Sequence, residues 1–211
     1  PEKVVVTGTP VRGDFFALTK QQAREKLGYT DDKPLVASFW GSLGASTMNA
    51  RMLDFFRREQ ADSFPFHHIH AAGKSDWPHV SGELERLGLS SPLLDVRQYI
   101  YDMAVVMAAD LVISRAGAST LSEVTALGMP TILVPSPYVV ANHQEKNARL
   151  LESHGGAVVL TEEQATGEAL YESAKDILQN PEKRRSMAKA MAELGIPDAT
   201  ERIYNTLMAL L

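Results

Sequence analysis

A chain of 211 residues, 45% hydrophobic and 22% charged, is long enough for one large domain with its own core and unlike a disordered segment in composition. Its net charge of -5 offers no general attraction for nucleic acid or anionic lipid, and no stretch approaches the roughly 18 apolar residues of a membrane span, so membrane insertion by this domain is not expected. The lack of Cys excludes disulfides, thiolate metal sites and a Cys nucleophile, and fits a reducing, cytoplasmic setting.

The chain opens with Lys3 to Thr7, a β-branched run that reads as a strand. Similar runs follow at Leu35 to Phe39, Phe66 to His70, Leu93 to Val96, Leu111 to Ser114, Thr131 to Val134 and Ala157 to Leu160. Runs this short with few polar interruptions suit strands covered on both faces. Between them, Thr47 to Glu59, Val80 to Leu87, Asp102 to Ala108, Ser119 to Leu127 and Asn142 to Ser153 read as helices. The alternation predicts an α/β fold, a Rossmann-like doubly wound parallel sheet. From about residue 162 the pattern is a helical tail: Thr161 and Gln164 form a capping-box pair, Asn180-Pro181 starts a second helix, and Gly195-Ile196-Pro197 precedes a last one, Ala199 to Leu211. One domain over residues 1–211 is expected, with Ile203, Leu207, Leu210 and Leu211 on an apolar face of the last helix.

Ligands of open α/β sheets bind where strand ends lead into helix N-termini, and four loops at such places stand out. Val11-Arg12-Gly13 follows the opening run, and its Arg is either a bidentate diphosphate ligand or a solvated surface charge. Gly41-Ser42-Leu43-Gly44-Ala45-Ser46 opens a helix whose free N–H groups favour an anion, or is simply a tight turn; it matches neither the dinucleotide fingerprint nor the P-loop. Ser114-Arg115-Ala116-Gly117-Ala118-Ser119-Thr120 leads into Leu121-Ser122-Glu123. The Glu123 carboxylate can accept from both hydroxyls of a vicinal diol such as a ribose, although Thr120-x-x-Glu123 is also the spacing of a capping box, the commoner meaning of that pattern. Pro135 to Gln144 ends in Asn142-His143-Gln144, three side chains able to read sugar hydroxyls or to cap a helix. His67, His68 and His70 cluster on an apparent strand whose alternation sends His67 and His68 to opposite faces, which makes a poor metal site. There is no G-x-S-x-G elbow and no Asp-x-Asp pair.

Taken in order, five stretches resemble the carboxy-terminal domain of the MurG family, glycosyltransferase family 28: Thr9-Pro10-Val11-Arg12; Gly41-Ser42-Leu43-Gly44-Ala45; Tyr99-Ile100-Tyr101-Asp102-Met103-Ala104; Ala109-Asp110-Leu111-Val112-Ile113-Ser114-Arg115-Ala116-Gly117-Ala118; and Asn142-His143-Gln144-Glu145-Lys146-Asn147-Ala148. The resemblance spans nearly the whole chain and implies one half of a GT-B architecture. Carried over, it implies that Arg12, Ser42, Leu43 and Gly44 face a diphosphate and that the backbone of Ile100 reads uracil. Ala118, Ser119, Thr120 and Glu123 would lie along ribose and phosphates, and His143 and Gln144 would face N-acetylglucosamine. The implied substrate is UDP-N-acetylglucosamine, with no cofactor and no tightly bound metal. The implied reaction is inverting transfer of N-acetylglucosamine to lipid I, giving lipid II in peptidoglycan synthesis at the cytoplasmic face of the plasma membrane. The family's amino-terminal acceptor domain, which carries the proposed base, has no counterpart in these residues, so this chain alone is expected to be inactive. Where the family usually has two glycines before its Ser and Gln after it, this chain has Trp40-Gly41 and Leu43, with Trp40 either crowding the loop or packing beneath it. Three rivals share the architecture: the donor-binding subunit of a split transferase, a UDP-N-acetylglucosamine 2-epimerase, and a Rossmann oxidoreductase, the last disfavoured by the missing fingerprint.

Overall fold

The computed structural model describes residues 4–210. In chain order the elements are α1 (Lys20–Lys26), β1 (Leu35–Phe39), α2 (Ser46–Ala61), β2 (His67–Ala71), α3 (Trp77–Leu87), β3 (Leu94–Arg97), α4 (Ala104–Ala108), β4 (Leu111–Ser114), α5 (Ala118–Ala126), β5 (Thr131–Leu133), α6 (His143–Ser153), β6 (Ala157–Val159), α7 (Gly167–Gln179), α8 (Pro181–Leu194) and α9 (Ala199–Met208). The six strands form one parallel sheet in the order β3-β2-β1-β4-β5-β6. The order reverses between β1 and β4, the place where doubly wound sheets open a crevice at their carboxyl edge.

Alternation along each strand divides the core in two. Leu35, Ala37, Ile69, Val112 and Leu133 point to the face covered by α1, α4, α5 and α6, whereas Val36, Leu111, Ile113 and Ile132 point to the face covered by α2, α3 and α7. On α2 the buried positions Met48, Met52, Phe55, Phe56 and Glu59 follow helical spacing and meet Leu170, Tyr171 and Ala174 of α7. Each fully buried large apolar side chain contributes about 1.5–3 kcal/mol, so this layer fixes the ends of the strands that carry the loops.

The three histidines of β2 separate by face as alternation requires. His67 lies against Tyr29 and donates from Nε2 to Asp31 at 2.8 Å. His68 and His70 lie fully buried on the α2 side, edge-on to Phe56, and both bond the Ser38 hydroxyl at 2.7 Å.

Several expectations are corrected. Val4 to Thr7 is not a strand: Val4, Val5 and Val6 are exposed and find no place in the sheet, while Lys3 lies outside the described residues. A β-branched run satisfies the composition of a strand without supplying a neighbour to pair with. Thr161 and Gln164 do exchange the capping-box hydrogen bonds, at 3.0 and 3.3 Å, but they close only a turn; the helix starts at Gly167, capped by Thr166, so the helical tail begins later than residue 162. The last helix stops at Met208, and Leu211 lies outside the described residues. Thr120 and Glu123 are no capping box, because α5 already begins at Ala118 with Gly117 as its cap and both residues sit inside it. Three elements had no counterpart in the sequence reading: the 3-10 turns Gly13–Phe16 and Val140–Asn142, and α1, which opens with a full Thr19–Gln22 capping box.

Candidate functional site

The loop after β1 carries two glycines in the left-handed region, Gly41 at φ +88° and Gly44 at φ +86°. A Cβ on Gly44 would lie 2.1 Å from the Ala72 carbonyl oxygen, and one on Gly73 would lie 2.2 Å from the Gly44 nitrogen. Only glycine lets the β1-α2 and β2-α3 loops touch in this way. The loop delivers the N-terminus of α2, where Ala45 supplies no side-chain cap, so the first-turn N–H groups and the positive end of the helix dipole are available to an anion.

Beside this loop a hollow of about 190 Å³ is lined by Arg12, Phe15, Phe39, Gly41, Ser42, Ala71, Tyr99, Ile100, Met103, Val106, Thr120 and Glu123. It adjoins a second, of about 630 Å³, that shares Phe39, Gly41 and Thr120 and is bounded by Gly44, Ser46, Arg115, Tyr138, Gln144 and Glu162 among others. Together they form one cleft over the β1/β4 switch point. Of the residues singled out from sequence, Arg12, Ser42, Ile100, Thr120 and Glu123 meet in the smaller hollow, and Gly44 and Gln144 line the larger. Leu43 is exposed on the loop rim, Ser119 lines neither hollow, and Ala118 lines a separate groove with Leu121 and Ser122. His143 is exposed and donates from Nδ1 to the Val140 carbonyl at 2.9 Å.

The polar groups of the cleft are poised differently. Glu123 is half-buried, and burial raises its pKa above the ordinary carboxylate value, partly opposed by the charge of Arg12. Arg12 is exposed and bonds Asp14 through both Nε (3.1 Å) and Nη2 (2.9 Å), so a diphosphate would compete with Asp14 for it. Ile100 is buried, yet among the described residues neither its N–H nor its C=O has a hydrogen-bond partner. An amide pair left open in a residue that lines the hollow with the rings of Tyr99 and Phe39 suits a planar heterocycle with its own donor and acceptor.

Sequence reasoning gave no role to the ion pair that walls the larger hollow. Arg115 Nη2 meets Glu162 at 2.6 Å, its Nη1 donates to the carbonyls of Val134 (3.2 Å) and Pro135 (3.3 Å), and its guanidinium lies 5.9 Å from the Trp40 ring. Arg115 stood in a conspicuous loop, but no local pattern pairs it with a residue 47 positions away. Trp40 is 4% exposed and packs beneath the loop in the core on the α2 face, which decides between the two placements expected for it. In the β5-α6 loop Ala141 and Asn142 adopt φ +54° and +52°, as Ser63 and Phe64 do in the α2-β2 loop, and Gln144 Oε1 accepts the Ser136 N–H at 2.9 Å. Among the described residues no three His, Asp or Glu side chains are grouped to hold a metal ion, and no helix is long and apolar enough to cross a membrane.

Residues 36–203 match the family model "Glycosyltransferase family 28 C-terminal domain". A similar curated protein is the UDP-N-acetylglucosamine--N-acetylmuramyl-(pentapeptide) pyrophosphoryl-undecaprenol N-acetylglucosamine transferase of Acetivibrio thermocellus, 45% identical over 204 residues, covering 96% of this chain and 54% of that protein. Among solved structures, Acinetobacter baumannii MurG superposes with a TM-score of 0.75 at 26% identity, covering 99% of this chain and 58% of that one. The UDP-GlcNAc 2-epimerase of Neisseria meningitidis, bound to UDP-GlcNAc, superposes with a TM-score of 0.60 at 17% identity over 90% of this chain and 48% of that one, a likeness of fold alone. The chain spans about half the length of the curated relative it matches.

Proposed function

The chain belongs to the glycosyltransferase family 28 C-terminal domain family, and from that membership we propose that it is the UDP-N-acetylglucosamine-binding half of an inverting transferase that adds N-acetylglucosamine to lipid I. The observation that carries this reading is the meeting of Arg12, Ser42, Ile100, Thr120 and Glu123 around one hollow at the switch point. In this reading the unpaired amide groups of Ile100 take the uracil edge, Glu123 accepts from the two ribose hydroxyls, and the N-terminus of α2 with Ser42 and Arg12 faces the diphosphate. Gln144 and His143 reach the sugar from the α6 side. As the glycosidic bond breaks, UDP gains negative charge, so groups aimed at the diphosphate stabilise the transition state more than the ground state. The acceptor, and the base that activates its hydroxyl, belong to a further domain across the cleft. The working place of such an enzyme is the cytoplasmic face of the plasma membrane, where its lipid-linked acceptor resides.

Calorimetric titration of this chain with UDP-N-acetylglucosamine, UDP, GDP and NAD tests the proposal, repeated on Glu123→Ala. Binding selective for uridine ligands and weakened at least about tenfold in the variant, the loss of a hydrogen bond to a charged group, is the expected result. Equal binding of GDP or NAD, or a variant that binds UDP like the wild type, would count against it.

A further inference from the structure

Beneath the 41–46 loop runs a row of buried polar groups that the donor site does not touch. Glu59 Oε1 meets His68 Nδ1 at 2.9 Å; His68 Nε2 meets Ser38 Oγ at 2.7 Å; Ser38 Oγ meets His70 Nδ1 at 2.7 Å; and His70 Nε2 meets Asn49 Oδ1 at 3.1 Å. All five residues are buried. At the far end Asn49 Nδ2 donates both to the Ala72 carbonyl, at 2.8 Å, and to Asp76 Oδ2, at 2.6 Å, while Asp76 Oδ1 accepts from Ser46 Oγ at 2.8 Å.

With His68 and His70 both neutral, as their burial favours, these bonds allow one arrangement of hydrogens. The two acceptors on Asn49 Nδ2 fix its amide, so Oδ1 faces His70 and must receive the Nε2 hydrogen. His70, neutral, then accepts at Nδ1 from the Ser38 hydroxyl, which leaves the Ser38 oxygen to accept from His68 Nε2. His68, neutral in turn, accepts at Nδ1, and only a protonated Glu59 can donate there. Burial pushes Glu59 well above its ordinary range and His68 down to about 3, which favours the same neutral row.

The row ends on the atom that shapes the loop. The Ala72 carbonyl held by Asn49 is the one against which Gly44 packs, and Ser46, held through Asp76, is the first residue of α2. We propose that Glu59, His68, Ser38, His70, Asn49 and Asp76 are positioning residues that clamp the two glycine loops and so set the 41–46 loop for the diphosphate of the donor. The inference rests on the donor-site reading above and assigns these residues no contact with ligand.

The test measures affinity for UDP and, by competition, for uridine, in the wild-type chain and in His70→Phe, His70→Gln and Asp76→Ala. Because the clamp ends on the 41–46 loop, UDP affinity should fall about tenfold in His70→Phe and about threefold in Asp76→Ala, the range of one lost buried hydrogen bond, with a clearly smaller loss for uridine in both. Gln at position 70 keeps a donor toward Asn49 and should recover most of the loss. Imidazole 15N shifts of the wild type should show the Nε2–H tautomer for both His68 and His70. Should His70→Phe not fold, Asp76→Ala, at the half-buried end of the row, carries the test. The proposal is overturned by UDP affinity unchanged in Asp76→Ala and in folded His70→Phe, by parallel loss of UDP and uridine, or by an Nδ1–H tautomer at His70. A wild-type chain that binds no uridine ligand overturns the donor-site reading itself, and does so before any variant is made.

Discussion

Gly44 and Gly117 each sit in the strand-to-helix loop of a central strand, β1 and β4, and each precedes a helix that ends at the cleft. Gly44 has φ +86° and no room for a Cβ, because the neighbouring loop's backbone is already there. Gly117 has φ -71°, and a Cβ there would meet nothing within 4 Å. The first loop is thus held by backbone against backbone. The second is held by a side chain, Arg115, which ties it to Glu162 and to the carbonyls of Val134 and Pro135. Two loops of similar composition therefore depend on different residues, and a glycine in a strand-end loop says little until its φ and its neighbours are known.

The sharpest way to break this comparison is Gly44→Ala. Left-handed strain and displacement of the Ala72 carbonyl together cost about 2–4 kcal/mol, so a lower melting temperature and loss of measurable UDP binding are expected; a variant that melts and binds like the wild type would mean that the two loops are not locked. Next in size is Arg115→Met, which leaves Glu162 largely buried without its partner, a loss of about 2–4 kcal/mol. Its melting temperature should fall and proteolysis in the 135–142 segment should rise, whereas melting within a degree or so of the wild type would show that the second loop has another anchor.

A smaller effect concerns Glu123, one turn into the helix that the second loop delivers. Its raised pKa means that, as pH falls from neutral, it takes up a proton before an ordinary Glu does and ceases to be a full acceptor. Uridine affinity should then decline on acidification in the wild type and stay flat in Glu123→Gln, measured over the same pH series. The smallest effect is Gly117→Ala, where a slightly poorer cap is offset by a less flexible unfolded chain, for a net change within about 0.5 kcal/mol. A large loss in that variant would show that the second loop also relies on its glycine.

The sheet was legible because parallel strands covered on both faces are mostly apolar: β1 and β4 coincide with runs read from sequence, and the other four differ by a residue or two at their ends, although β2 carries three histidines and β3 an Asp and an Arg. The same criterion misled at Val4 to Thr7, since composition carries no information about whether a pairing partner exists. Capping signatures were equally two-sided. Thr19 and Gln22 form the full reciprocal box at the start of α1, Thr161 and Gln164 form one that closes only a turn, and Thr120 and Glu123 have the spacing without the bonds. At the site, strand-end loops could be recognised because their position follows from the sheet. The Arg115–Glu162 pair and the row from Glu59 to Asp76 join residues distant in sequence, and only the assembled sheet brings them within reach.

The order of hydrogens in that buried row also has an electrical side. With both imidazoles neutral, each donor points the same way, from Glu59 in the last turn of α2 toward Asn49 in its first, so the bond dipoles add instead of cancelling. The peptide dipoles of α2 run in parallel, with their positive end at Ser46. The side-chain row and the helix thus form two aligned arrays whose positive ends meet the Asp76 carboxylate, which accepts from Asn49 and Ser46, and a protonated Glu59 avoids placing a negative charge beside the negative end of that helix.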